Sequence, residues 1–339
     1  MKMKRLSAAL AAGALLLAGC SSNGSTADSS AASTSSGSAG SDVKIGILQY
    51  AEHPALDEAT RGFEDYLKEN GYADASIEFQ SAQGEIPNCT SIAQKFVNDK
   101  VSLIYAVATP AAQAAANETK EIPIVLSAVT DPASSGLVND NAKSGTNVTG
   151  SSDLNPIEAQ FDLLQEILPE AKTVGLLYCN AEANSVFQID LAKEECEKRG
   201  LNFVDSSVTD SNQIQQVVES LNGKVDVLYV PTDNLLAESM ATVSQTAAQY
   251  GIPCIVGEEA MVANGGLATY GIDYYELGKL AGAQAVKILN GDDQPENMAI
   301  EYLPSDKYTL SVNKEIAEKL KIDLPQSVLD RAVSVGEEE

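Results

Sequence analysis

VSLIYAVATPAAQAAANETK, residues 101–120, opens on an almost unbroken apolar run and turns at Thr109-Pro110 into a string of alanines. The first part has the length and continuity of a buried strand. Proline just after it marks a first helical turn, where its missing N–H costs nothing. Alanines at 111 and 112 leave the amides of that turn uncovered. A buried strand running straight into a helix is one step of a βαβ unit, which predicts a parallel sheet.

The pattern recurs at VDVLYVPTDNLLAESM, residues 225–240, and the neighbours of the two copies also match. KIGILQYAEHPAL (44–56) pairs with TVGLLYCNAEANS (173–185), SIEFQSA with LNFVDSSV, and IPIVLSAVTDP (122–132) with IPCIVGEEAMV (252–262). Ile45 to Val101 spans 56 residues and Val174 to Val225 spans 51, so the spacing holds through both copies. The expected fold class is α/β, with two Rossmann-like parallel-sheet lobes. After the second copy, the stretches ending in AQAVKILNG and KEIAEKL are too short for a third domain. They are expected to recross the junction and complete one lobe each, giving a multi-crossover hinge. Lobe 1 is then 43–152 plus about 272–300, and lobe 2 is 153–271 plus about 301–335. Residues 54–70 place Leu56, Ala59, Phe63, Tyr66 and Leu67 on one helical face that stops at Gly71. In NPIEAQFDLLQEILP, Asn155 is expected as N-cap, Pro156 as the first helical residue and Glu158 as the partner closing a capping box.

A chain of 339 residues suits two domains. Its net charge of −26 argues against nucleic acid, which requires basic surface. Arginine occurs only at 5, 61, 199 and 331, so bidentate recognition of phosphate or of a second carboxylate lacks candidates. His53 is the only histidine and tryptophan is absent. Lys2, Lys4 and Arg5 precede the apolar run LSAALAAGALLLAGC, which is short for a membrane span. Residues 1–19 read as a lipoprotein signal peptide, because LAGC resembles the bacterial lipobox, with Cys20 as the lipidated residue. The Ser-rich stretch through residue 42 is expected to act as a flexible tether. Cys89, Cys179, Cys196 and Cys254 show no CxxC spacing, so a disulfide stays unassigned. No metal site or cofactor is expected, and no nucleophile elbow, Walker loop, GxGxxG or HExxH is present.

Ligands of open parallel sheets bind beyond the carboxyl ends of the strands. Thr109 either caps its helix or turns its hydroxyl to a ligand, and the amides after it suit a carboxylate. Thr130 offers a second hydroxyl. Asp233, with Glu258 and Asp273, offers negative charge for an ammonium group, although each acid can equally cap a helix. Carboxylate on one lobe and ammonium on the other describe an α-amino acid. Tyr50, Tyr178 and Tyr270 form an aromatic wall or pack internally, and His53 before proline reads as a turn residue. Of Glu258 and Glu259, one is expected in the cleft and one in solvent.

EHPALD, ATPAAQAAAN, IPIVLSAVTDP, NVTG, EANS, YVPTDN and ATYGIDYYELG, in that order, resemble the ABC-transporter substrate-binding lipoproteins of the tryptophan/aromatic amino-acid type. These have the type I periplasmic-binding-protein fold, and the similarity runs from about residue 43 to about 331. The resemblance implies a two-lobed, hinge-closing receptor that hands an amino acid to a membrane permease. The expected ligand is apolar or aromatic, such as tryptophan or phenylalanine. The body, placed outside the cytoplasmic membrane by its N-terminal lipid and tether, is expected to be a monomer. The implied pocket is Tyr50, Thr109, Ala111, Thr130, Asp131, Asn184, Ser185, Asp233, Asn234, Glu258 and Asp273. The competing readings are a sugar or nucleoside receptor, a ligand-sensing subunit of a membrane receptor, and a lipid-anchored α/β enzyme. Lack of tryptophan for stacking and of arginine near the cleft disfavours the first of these.

Overall fold

In the first half of the chain the apolar runs are strands and the amphipathic stretches between them are helices. The order is β1 (Lys44–Gln49), α1 (Pro54–Leu67), β2 (Ser76–Ser81), α2 (Ile86–Asn98), β3 (Leu103–Val107), α3 (Thr109–Glu118), β4 (Ile124–Ser127) and β5 (Val148–Ser152). The second half repeats it with α4 (Ile157–Ile167), β6 (Thr173–Cys179), α5 (Ala183–Arg199), β7 (Asn202–Val208), α6 (Ile214–Ser220) and β8 (Val227–Val230). Then come α7 (Asn234–Glu238), α8 (Met240–Gln249), β9 (Cys254–Val256), α9 (Glu259–Ala263) and β10 (Ala268–Gly271). The tail adds α10 (Tyr274–Asn290), β11 (Glu301–Tyr302), β12 (Thr309–Val312), α11 (Lys314–Leu320), α12 (Gln326–Leu329) and β13 (Val333–Ser334). This computed structural model describes residues 42–335; the expected signal peptide, the expected lipidation site Cys20 and the expected tether up to residue 41 lie outside the described residues.

Two sheets form, in the orders β2-β1-β3-β4-β5-β11 and β7-β6-β8-β9-β10-β12-β13. The first five strands of each correspond one to one; the first four are the repeated unit seen in the sequence, and β5 and β10 extend the match by a strand. All pairings are parallel except β10 with β12. β3 and β8 are buried at every residue because helices cover both faces of each sheet, so their sequences show no alternation. The chain passes between the sheets at residues 153–156, 272–273 and 303–308. The last crossing comes slightly later than about 300: Glu301–Tyr302 still pairs with β5 of the first sheet.

α10 returns to the first lobe and packs along α1. The contact is backbone against backbone. A Cβ on Gly278 would lie 2.0 Å from the Ala59 carbonyl oxygen, and one on Gly62 would lie 2.0 Å from that of Tyr275. Beneath α1, Phe63 stacks on Tyr105 at 3.8 Å, and the Tyr105 hydroxyl donates to Ala59 O. The predicted face of α1 is the buried one at Leu56, Ala59, Phe63 and Leu67, and Gly71 follows at φ +95°.

The expected capping box at the start of α4 does not form. Pro156 has ψ 80°, outside the helical range, so the helix begins at Ile157 without a side-chain cap. Asn155 instead donates to the Gly257 carbonyl. Cys89, Cys179, Cys196 and Cys254 are all buried and unbonded, consistent with a body of this size not needing cross-links.

Candidate functional site

The turns beyond β1 and β4 in the first lobe meet the turns beyond β6, β8 and β9 in the second. His53, Leu56 and Ala128 come from the first side, and Asn184, Thr232, Asp233, Asn234, Ala237 and Glu258 from the second. Asp153 and Tyr274, from the first two crossovers, close the ring. The walls approach so nearly that only about 10 Å³ remains between them, the space of one water-sized group. Two contacts bridge the lobes directly: His53 Nε2 to Asn234 Oδ1 at 3.3 Å, and Gln188 Nε2 donating to Thr130 Oγ1 at 3.3 Å. A more open cavity of about 410 Å³ lies behind it, toward the hinge, with Glu258 and Tyr274 as the shared wall.

The charge of this cleft is one-sided. Asp153, Asp233 and Glu258 line it, and the buried Glu182 stands behind Asn184 and Asn234. No lysine or arginine lines the small cavity. Burial lifts the Glu258 carboxyl to about 7, against the pull of two backbone amides, and lifts Asp153 to about 6. Burial also raises Glu182 and Asp233, with Asp233 adding its repulsion at Glu182. The Tyr50 hydroxyl is raised as well, first by burial and then by Glu182. His53 is the sole basic group in the ring, and burial lowers its pKa, which favours the neutral imidazole.

Most of the acids singled out in the sequence are anchored by backbone amides. Asp233 accepts from Leu236 N at 2.9 Å and from Cys179 N at 2.6 Å, which caps α7 and ties it to β6. Glu258 accepts from Ala260 N and Met261 N at the start of α9, while its exposed neighbour Glu259 takes the Ser311 hydroxyl. Asp273 caps α10, is exposed, and faces the larger cavity. Asp131 accepts from Ser134 N and Asn141 Nδ2 and so organises its own loop. The small cavity therefore brings together Asn184, Asp233, Asn234 and Glu258; it does not include Tyr50, Thr109, Ala111, Thr130, Asp131, Ser185 or Asp273.

Thr109 does not cap α3. Ala108 holds that position at φ +79°, and the Thr109 hydroxyl is buried without a protein partner. Ala128, after β4, also has a left-handed φ of +56°. Such strain in non-glycine residues is found where a turn is fixed for binding. Tyr270 packs edge-on against Tyr308 at 6.2 Å, joining a second-lobe strand to the third crossover. His53, Asp153 and Glu182 belong to this site and were not among the expected pocket residues.

The profile of a family described as ABC transporter substrate binding protein matches residues 44–336. A tyrosine-binding protein of Clostridioides difficile is 44% identical over 298 residues, covering 86% of each chain. Among solved structures, an ABC domain in complex with L-Trp from Streptococcus pneumoniae is 36% identical, with a TM-score of 0.83 over 86% of this chain and 99% of that one. A ligand-free, open substrate binding protein with adhesive properties from Clostridium difficile is 44% identical, yet its TM-score is 0.67 over 87% of this chain and 100% of that one. The arrangement of the lobes here is thus nearer to the Trp-bound relative than to the open one, despite the lower identity.

Proposed function

This chain belongs to the ABC transporter substrate binding protein family, and from that membership we propose that it is the lipid-anchored receptor of an importer, closing its two lobes on an aromatic α-amino acid. Members of the family are extracytoplasmic binding proteins, not enzymes, and the fold is that of the type I periplasmic binding proteins. The basic, apolar and LAGC segments of residues 1–20 support the anchor at Cys20. The names of the relatives support tyrosine or tryptophan as ligand, and the family's transporter role supports a membrane permease as the partner that receives it.

The observation that carries the amino-acid reading is the one-sided charge of the cleft. A ring with buried carboxyls and no lysine or arginine accepts a cation and repels phosphates and second carboxylates. The α-carboxylate then belongs at the start of α3, where the first-turn amides and the unpartnered Thr109 hydroxyl supply donors. An aromatic amino acid does not fit within 10 Å³. Loading therefore requires the lobes to separate, releasing the His53–Asn234 and Gln188–Thr130 contacts, and to close again with the ligand taking their place.

A thermal-shift screen of the twenty amino acids, with representative sugars and nucleosides, tests this reading. Tyrosine, tryptophan or phenylalanine is expected to give the largest rise in Tm, since ligand at 100 times its Kd adds about 2.7 kcal/mol. A response confined to sugars or nucleosides would overturn it.

A further inference from the structure

We propose that Asp153, in the first crossover, is the residue that selects the ligand's ammonium group, receiving it in the small cavity together with Asn184 and Glu258. The inference rests on the amino-acid reading above and gives it a recognising residue that the strand-end pattern does not reveal.

Three buried polar atoms around this one cavity have no protein partner at hydrogen-bond geometry: Asp153 Oδ1, Asn184 Oδ1 and His53 Nδ1; the Thr130 hydroxyl lies near enough to Asp153 to favour its charge, yet outside that geometry. Two of them can only accept from the ligand, because an ionised carboxylate and an amide oxygen have no hydrogen to give. Leaving buried acceptors unpaired is costly, so the cavity calls for a group rich in donors. An ammonium brings three N–H donors and a positive charge, which match these acceptors and the carboxyls beside them. Asp153 is held ready by its other oxygen, Oδ2, which accepts from the Tyr274 hydroxyl at 3.0 Å. Glu258 faces it from the second lobe, with both oxygens steadied by the α9 amides. The elevated Asp153 carboxyl agrees with this, as burial disfavours its charge until a cation is present.

The position matters as much as the charge. Asp153 lies in the first crossover and Tyr274 opens α10 directly after the second. A ligand bound to Asp153 therefore touches the hinge itself, at a residue tied by a hydrogen bond to the start of α10, just past the second crossover.

The test is calorimetric titration of wild type and Asp153→Asn with two sets of probes. One is tyrosine, tyramine and 3-(4-hydroxyphenyl)propionate; the other is tryptophan, tryptamine and 3-(indol-3-yl)propionate. Asp153→Asn keeps the shape and removes the charge, and is expected to weaken the amino acid and the amine about 100-fold. The propionate, which has no amino group to place there, should bind the variant at least as well as it binds wild type. Tyr274→Phe removes only the hydroxyl that orients Asp153, and should weaken the amine-bearing probes about 5-fold. Equal loss for all three probes of a set would make Asp153 a structural residue, and unchanged amino-acid affinity would remove it from the site; either overturns the inference alone. A wild type that binds none of the four probes with an amino group overturns the amino-acid reading and this inference with it.

Discussion

Replacing Gly278 by alanine is expected to destabilise the protein by about 3 kcal/mol, at the upper end for overpacking, and to lower its Tm by roughly 5–10 °C. The added methyl would sit 2.0 Å from the Ala59 carbonyl oxygen. That atom is backbone and cannot rotate away, so α1 and α10 must separate. Alanine's better helix propensity, about 1 kcal/mol over glycine, does not offset this. Separation also releases the reciprocal contact of Gly62 with Tyr275 and disturbs the Phe63–Tyr105 stack below. The same pair of helices carries His53 and Tyr274 at their starts, on either side of the cavity, so ligand affinity should fall as well. Gly291→Ala is the control: its Cβ meets nothing within 4 Å, and only its φ of +76° is strained, at about 1 kcal/mol. Thermal denaturation that ranks the two variants equally would refute the close-packing argument.

Glu182→Ala is expected to cost about 3 kcal/mol or more, because it strips a buried acceptor from several donors at once. Glu182 accepts from Asn234 N, Asn234 Nδ2, Leu235 N and Asn184 Nδ2 at 2.5–3.2 Å. These bonds fix the start of α7 and orient Asn184 and Asn234 toward the cavity. Glu182→Gln, which keeps the shape, adds a pH readout. The carboxyl is raised above its ordinary 4.5 by burial first and by Asp233 second. The folded state then holds a proton that the unfolded chain releases, so this group's contribution falls as the pH rises from about 4.5 through its elevated folded value. Above that value the loss is complete. Plotting Tm against pH for wild type and Glu182→Gln should show the variant with the shallower fall; equal slopes would mean that Glu182 is ionised at all these pH values.

The fold was legible because its evidence repeats. Two copies of strand, turn and helix at matched spacing predict two parallel sheets, whereas the close α1–α10 crossing at Gly62 and Gly278 became visible only in the folded chain. The site was legible only as a region. Asp233, Glu258 and Asp273 follow strands and precede helices, and an acid there reads identically whether it caps the helix or waits for a ligand. All three accept helix-start amides. Asp153 was hidden for a different reason. It follows a fully buried strand at the expected boundary between the lobes, where nothing in SSDLNP marks its carboxyl as facing the cleft. Only the folded chain places it opposite Glu258. His53 looked like a turn residue and is one, at the start of α1, but its ring reaches Asn234 of the other lobe. Asn155 misled because Asn-Pro before a helical run is an ordinary start signal, and a tertiary bond to Gly257 took the side chain instead.

A crystal structure of the protein with the amino acid that gives the largest thermal shift measures the central claim directly. The account predicts the ligand between the two sheets, its nitrogen within hydrogen-bond distance of Asp153 and its carboxylate at the Thr109 end of α3. A ligand bound outside the interlobe cleft, or lying in it with the carboxylate toward Asp153, would contradict it.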